Sequence, residues 1–168
     1  MTDGAQNMRY YSVEAEAPGA GYGPTARLRY GPEMRYIEEV GYLDLEFLVW
    51  SGGDLIQDVG QFCVTSELWG FLRSNSVKGV YTREMTVTIG NDFHELCPGV
   101  SVPRFEELVL PRQASATKQD KWILDAKTIP DAEMFTGIGL PLFVNHRIKD
   151  LFEKYGVKGL RFDDAIVA

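Results

Sequence analysis

The sequence is poor in the residues on which most small enzymes and metal proteins depend. It has two histidines, His94 and His146, and two cysteines, Cys63 and Cys97, in 168 residues. A structural zinc site needs four ligands, usually at paired spacings. His94 and Cys97 stand three apart, and no second pair completes them. No metal or cofactor is therefore expected. No apolar run approaches the roughly 20 residues of a membrane span, so no membrane partner is expected. Met1 to Arg9 is polar, carries Asp3 and lacks an apolar core, which reads as no secretory signal. The expected compartment is the cytoplasm, with both cysteines as free thiols.

A basic excess is missing too. The net charge is −7. Residues 1–60 hold ten acidic and four basic side chains, residues 61–100 four and three, and residues 101–168 ten and ten. Such a chain repels phosphates, which argues against nucleic-acid binding. Its acidic first third suits a basic protein partner, whose approach that field would speed. The acidic residues expected to meet a partner are Glu33, Glu38, Glu39, Asp44, Glu46, Asp54 and Asp58, all between Glu33 and Asp58.

Catalytic sets are thin. Cys97 with His94 could form a thiol–base pair, but Pro98 restricts the backbone of Cys97 to extended conformations. Glu38-Glu39, Glu106-Glu107 and Asp163-Asp164 are adjacent carboxylates, and neighbours on a strand point to opposite faces. Gly19 to Pro24 and Gly137-Ile138-Gly139 lack the strand-to-helix context of a phosphate loop and read as turns. No catalytic residue is assigned. A small cysteine- or carboxylate-dependent enzyme and a protein-binding regulatory module stay as alternatives.

What the chain does have is a strong local pattern near its end. Leu142 to Val144 reads as a strand. Asn145 is a good helix cap. Ile148, Leu151, Phe152 and Tyr155 fall on one helical face. Gly156 can end the helix in the left-handed conformation. After Val157-Lys158-Gly159, Leu160 to Val167 reads as a second strand. Phe62 to Thr82 repeats this at an offset of 80, with Thr65 as cap, Leu68, Phe71 and Leu72 on the apolar face, and Val77-Lys78-Gly79 repeated identically. The repeat units span about 61–87 and 141–167, in one domain covering 1–168. Elsewhere short strand patterns dominate: Met8 to Val13, Thr25 to Tyr30, Leu43 to Val49, Phe105 to Leu110 and Trp122 to Leu124. Met34 to Val40 is ambiguous between strand and helix. Phe93 to Pro103 reads as irregular, Pro111 to Asp120 as a flexible segment, and Asp131 to Phe135 as a helical turn. Without regular βαβ alternation the expected class is α+β, a single domain of mostly antiparallel strands with two short amphipathic helices in two weakly repeated halves.

Phe143-Val144-Asn145-His146-Arg147-Ile148-Lys149-Asp150-Leu151-Phe152, followed by Gly156-Val157-Lys158-Gly159-Leu160-Arg161-Phe162, resembles the C-terminal signature of a family of bacterial immunity proteins from polymorphic toxin systems. Trp122-Ile123-Leu124-Asp125, Asp131 and Phe135 fit the same pattern. A related group carries paired Cys-x-x-Cys motifs, which are absent here. The resemblance covers roughly the last 50 residues and implies a small cytoplasmic protein that occludes a cognate toxin without catalysis. An acidic inhibitor suits a basic toxin.

Overall fold

The computed structural model describes residues 8–34 and 37–168. In chain order it contains β1 (Tyr10–Glu14), β2 (Gly19–Tyr22), β3 (Arg27–Tyr30), β4 (Ile37–Phe47), β5 (Leu55–Asp58), β6 (Gln61–Thr65), α1 (Ser66–Ser74) and β7 (Tyr81–Ile89). Then follow α2 (Phe93–Leu96), β8 (Phe105–Val109), β9 (Ala116–Lys118), β10 (Trp122–Leu124), β11 (Met134–Phe135), β12 (Leu142–Asn145), α3 (His146–Tyr155) and β13 (Arg161–Val167). Most strand pairs are antiparallel. The class is α+β in one domain. None of the helices among the described residues is long and apolar enough to cross a membrane.

The two units with related sequence share one architecture. In the first, β6 and β7 are joined by α1 and both pair antiparallel with β8, which lies between them. In the second, β12 and β13 are joined by α3 and both pair antiparallel with β1. The next strand outward is parallel in each case: β4 beside β7 and β10 beside β13. An antiparallel strand, β5 or β11, flanks the other side. The central strand of the second unit thus comes from the opposite end of the chain.

Local chemistry explains why both units fold alike. Thr65 Oγ1 accepts from Leu68 N at 3.2 Å, and Asn145 Oδ1 accepts from Ile148 N at 3.0 Å. Each such cap stabilises its helix by about 1 kcal/mol. Gly79 and Gly159 end the repeated Val-Lys-Gly turns at φ of 75° and 77°. A Cβ on Gly79 would lie 2.6 Å from Ala132 Cβ, so glycine is needed for space as well as for backbone conformation.

The helices close a shared core. Leu68, Trp69 and Leu72 of α1 and Ile148 and Phe152 of α3 join Phe62, Val64, Leu108, Val13, Leu142 and Val144 from both sheets. Phe71 and Tyr155 meet at 5.2 Å between ring centroids. Removing this apolar surface from water is the main favourable term. The halves also hold each other's turns. Lys78 N donates to Glu133, and Lys158 N donates to Asp54. The same two residues accept through their backbones, Asp54 O from Thr65 N and Glu133 O from Asn145 N.

Both sheets draw their outer strands together; in the six-stranded sheet Ala114 N, before β9, donates to Thr136 O, after β11, at 3.2 Å. The six-stranded sheet runs β11-β12-β1-β13-β10-β9, and the other β2-β4-β7-β8-β6-β5 with β3 also on β4. In the latter, Glu16 bridges Ile56 and accepts from Gln57 N at 2.9 Å. This draws the chain entering β2 against β5, so the sheet curls. Leu43, Leu45, Phe47, Ile56, Cys63, Met85 and Phe105 fill the inside. Behind the six-stranded sheet a separate cluster gathers Tyr10, Leu124, Phe135 and Phe143.

Several local expectations are corrected. Gly19–Tyr22, expected as a turn, forms β2. The segment expected to be flexible carries β9, an edge strand on β10. Asp131 to Phe135 leads into a strand, not a helical turn, because Met134 and Phe135 pair with Val144 and Phe143. The segment read as irregular opens with α2. Of the ambiguous Met34 to Val40, Met34 ends a 3-10 turn (Pro32–Met34), Ile37 to Val40 open β4, and Arg35 and Tyr36 lie outside the described residues.

Candidate binding surface

The seven acidic residues expected to form one surface divide into three groups. Asp44 is fully buried. It accepts from Thr25 N at 2.9 Å, Thr25 Oγ1 at 2.6 Å and Thr88 Oγ1 at 2.8 Å. Gly23 packs so close that a Cβ there would fall 2.3 Å from Asp44 Oδ1. The expectation that Asp44 faces a partner is therefore corrected: its carboxylate fastens the 23–25 turn to β4 and β7. The alternation of Leu43, Asp44 and Leu45 placed it on the polar face, and two threonine hydroxyls take the place of water there.

Asp54 and Asp58 are half-buried and also hold backbone. Asp54 Oδ2 accepts from Lys158 N at 3.3 Å, and Asp58 Oδ2 from Gly21 N at 3.4 Å. Glu33, Glu38, Glu39 and Glu46 make the third group. Glu46 is half-buried on β4, while Glu33, Glu38 and Glu39 are exposed.

The exposed three share one hairpin. β3 pairs with the first part of β4, from Arg27↔Tyr42 to Tyr30↔Ile37. Pairing of β4 with β7 begins only at Leu43. Leu28 and Val40 pack the base of the hairpin on the inside of the curled sheet. Beyond them Arg29, Tyr30, Pro32, Glu33, Met34, Ile37, Glu38 and Glu39 are exposed, while Gly31 is buried. Arg29 reaches Glu38 at 3.6 Å and Glu39 at 3.0 Å. Arg27 lies over the Tyr42 ring at 5.3 Å. Between the glutamates sit Tyr30, Met34 and Ile37, with Met34 70% exposed. These apolar residues were missed from sequence. Their signal was the unresolved Met34 to Val40 stretch, just after the Gly31-Pro32 break.

The thiols are placed for packing. Cys63 is fully buried, and burial, with Glu107 and Asp58 nearby, pushes its pKa well up. A thiol in that state is a poor nucleophile. Cys97 Sγ donates to Trp50 O at 3.7 Å. The His94 ring lies edge-on to Phe93. Among the described residues no three His, Cys, Asp or Glu side chains converge on a common metal position.

The adjacent carboxylates of β8 point to opposite faces. Glu106 accepts from Thr82 on one side. Glu107 is buried on the other, 2% exposed. Arg83 Nε and Nη2 donate to it at 2.7 and 3.1 Å. Asp163 and Asp164 likewise have separate partners, Arg161 and Lys121.

Open concavities add to the surface. One, of about 450 Å³, lies between β7 and the 100–105 segment, lined by Met85, Val87, Phe93, Val102 and Phe105 with His94 and Arg104. Another of about 450 Å³ lies where the halves meet, between Trp50, Glu67, Arg104 and Lys158. Neither a family model nor a curated protein matches the chain.

Proposed function

We propose that the chain is a non-catalytic immunity protein that binds a cognate bacterial toxin in the cytoplasm and neutralises it by occlusion. The observation that carries this reading is the strand, cap, helix, Gly-Val-Lys-Gly and strand unit at 142–167. In that unit β12 ends at the Asn145 cap, α3 follows, and a turn with left-handed Gly156 and Gly159 leads to β13, which supports the reading. Charge adds support, since the acidic excess lies in the first third and, among the described residues, three of its four exposed carboxylates, Glu33, Glu38 and Glu39, ride on the β3–β4 hairpin while Glu14 lies on β1. The use of Asp44, Asp54 and Asp58 as backbone anchors and the burial of Cys63 favour a binding role over a chemical one.

The test is co-expression with the toxin encoded beside this gene. Protection of the host cell together with a stable co-purifying complex is the expected result. Equal killing with and without the chain, and no complex, would overturn the reading.

A further inference from the structure

We infer that the open edge of β7, from Val87 to Ile89, takes up a short extended segment of the toxin as an added strand; this rests on the immunity reading above. The hydrogen-bond pattern of the sheet identifies the edge. Gly90 N donates to Phe47 O, so the even-numbered residues of β7 turn their backbone groups toward β4. The odd-numbered ones, Arg83 and then Met85, Val87 and Ile89, turn theirs toward the β8 side. The same parity holds on β8. Ser66 N donates to Arg104 O, so Arg104 and Glu106 face β6, while Pro103, Phe105 and Glu107 face β7. Pairing of β7 with β8 runs from Tyr81↔Val109 to Glu84↔Glu106 and ends there. Continued in register, it would set Pro103 opposite Val87. Proline has no N–H to donate, so it does not fit a ladder position that requires one. The chain before β8 therefore leaves the ladder. The backbone groups of Val87 and Ile89 on that side have no partner among the described residues.

The space beside that edge fits a strand. It is the groove of about 450 Å³ between β7 and the 100–105 segment, lined by Met85, Val87, Phe93, Val102 and Phe105. Val87 is half-buried and Ile89 is 38% exposed. Unpaired N–H and C=O groups on a strand edge are a template for another chain. A segment laid along β7 would bond Val87 and Ile89 and turn alternate side chains onto the apolar lining. The lining also states the charge of the segment. His94 and Arg104 are its titratable side chains, both exposed, and the described residues that line it include no carboxylate. Asp92 and Glu95, near His94 in sequence, are exposed and lie outside the lining. A carboxylate on the added segment complements Arg104 and fixes its register. The groove is a recess and not a flat edge, which suits one extended chain better than the sheet edge of a second copy.

The experiment follows amide hydrogen exchange by NMR in the full chain, alone and with the toxin domain encoded beside it. In the free chain the Val87 and Ile89 amides should exchange fast, while those of Thr86 and Thr88, turned toward β4, stay protected. In the complex the two open amides should slow by about tenfold or more. Val87→Pro removes the central donor and sets ring carbons in the path of an added strand, without removing a ladder bond of the free chain. It should weaken binding about tenfold, as loss of one hydrogen bond does. Arg104→Glu should weaken it severalfold. Lys127→Glu, exposed and outside the groove, is the charge-matched control and should bind as wild type. Unchanged exchange at both amides, or wild-type affinity in a folded Val87→Pro chain, with protection intact, would overturn the strand addition and leave the immunity reading standing. Where Val87→Pro does not fold, exchange in the wild-type chain decides alone. A wild-type chain that neither binds nor protects would overturn both. Slowing of the two amides with rising concentration of the chain alone would assign the edge to a second copy and overturn the toxin contact.

Discussion

The two halves of this protein share one framework and diverge in what fills the row behind its core. Their caps, helix faces, Val-Lys-Gly turns and strand registers correspond. The row behind the shared core differs. Across β6, β8 and β7 the row reads Cys63, Glu107 and Arg83; across β12, β1 and β13 it reads Phe143, Ser12 and Asp163. The second half fills its row with a phenylalanine ring, and Ser12 satisfies its hydroxyl on Asp163 O at 3.5 Å. In the first half the same position carries an ion pair whose carboxylate, Glu107, is buried and whose arginine, Arg83, is exposed, with Arg112 close enough to interact with Glu107. One framework thus tolerates either apolar packing or a charged pair, provided that the pair is complete.

Breaking that pair should produce the largest effect. Arg83→Met leaves Glu107 buried with its bidentate partner gone. Uncompensated buried charges cost about 3 to 5 kcal/mol, and the lower end applies because the Arg83 side chain is 45% exposed. Urea unfolding should therefore show a loss of about 3 kcal/mol. Arg83→Met with Glu107→Leu should recover most of it, since the second half shows that the row works without the pair. A double variant no more stable than Arg83→Met would mean that the curled sheet depends on the charges themselves.

A smaller effect separates the two inter-half locks. Glu133 accepts from Lys78 N and from Arg147 Nη1, which reaches both carboxylate oxygens at 2.8 Å. Arg147 Nη2 also donates to Asn75 O, at the end of α1. Its counterpart Asp54 has only the Lys158 amide among these partners. Burial works to raise the pKa of Glu133, but the Lys78 amide and Arg147 outweigh it, so the net shift is downward. The sign follows. A carboxyl with a lowered folded pKa contributes stability above its ordinary value near 4.5, and that contribution is lost as pH falls through the lower folded value. Glu133→Gln should cost about 1 kcal/mol at pH 7 and flatten the acid limb of stability against pH. Asp54→Asn should cost less at pH 7, since it loses one amide contact. Equal losses for the two variants would show that the locks are equivalent despite Arg147.

The legible part of the fold was the part written locally. Cap, apolar face and terminal glycine lie within about fifteen residues of one another, so the two helical units could be read directly. The closure of the second unit by β1 could not. Tyr10 to Glu14 says strand, but nothing in its alternation names a partner more than a hundred residues away. β2 escaped because Gly19 and Gly21, at φ of 83° and 78°, carry the residue type of a turn while pairing irregularly with β4. β9 escaped because Ala116, Thr117 and Lys118 have no strong strand preference; pairing with β10 and Lys118 over the Trp122 ring hold it. The acidity of the first third was legible as composition. Which carboxylates turn inward was not, because Thr25, Thr88, Lys158 and Gly21 are distant in sequence from the residues they bind.

The smallest predicted effect tests the repeat at one backbone position. Ser76 and Gly156 occupy the same place at an offset of 80, just past helices α1 and α3. Both are left-handed, at φ of 54° and 82°. In both units the following valine amide returns to the helix, Val77 N to Leu72 O at 3.4 Å and Val157 N to Phe152 O at 3.0 Å. The conformation is thus imposed by the same closing bond, and a serine there holds strain that a glycine does not. That strain amounts to about 1 kcal/mol, while glycine gives back part of it through greater freedom in the unfolded chain. Ser76→Gly should therefore gain about 0.5 kcal/mol. Gly156→Ser should lose about 0.5 kcal/mol by the same balance, with no clash to add, because a Cβ at Gly156 meets nothing within 4 Å. The two substitutions exchange the residues of equivalent sites, so their urea midpoints should move in opposite directions. Movement in the same direction would show that the two helix ends, alike in hydrogen bonding, are held by different forces.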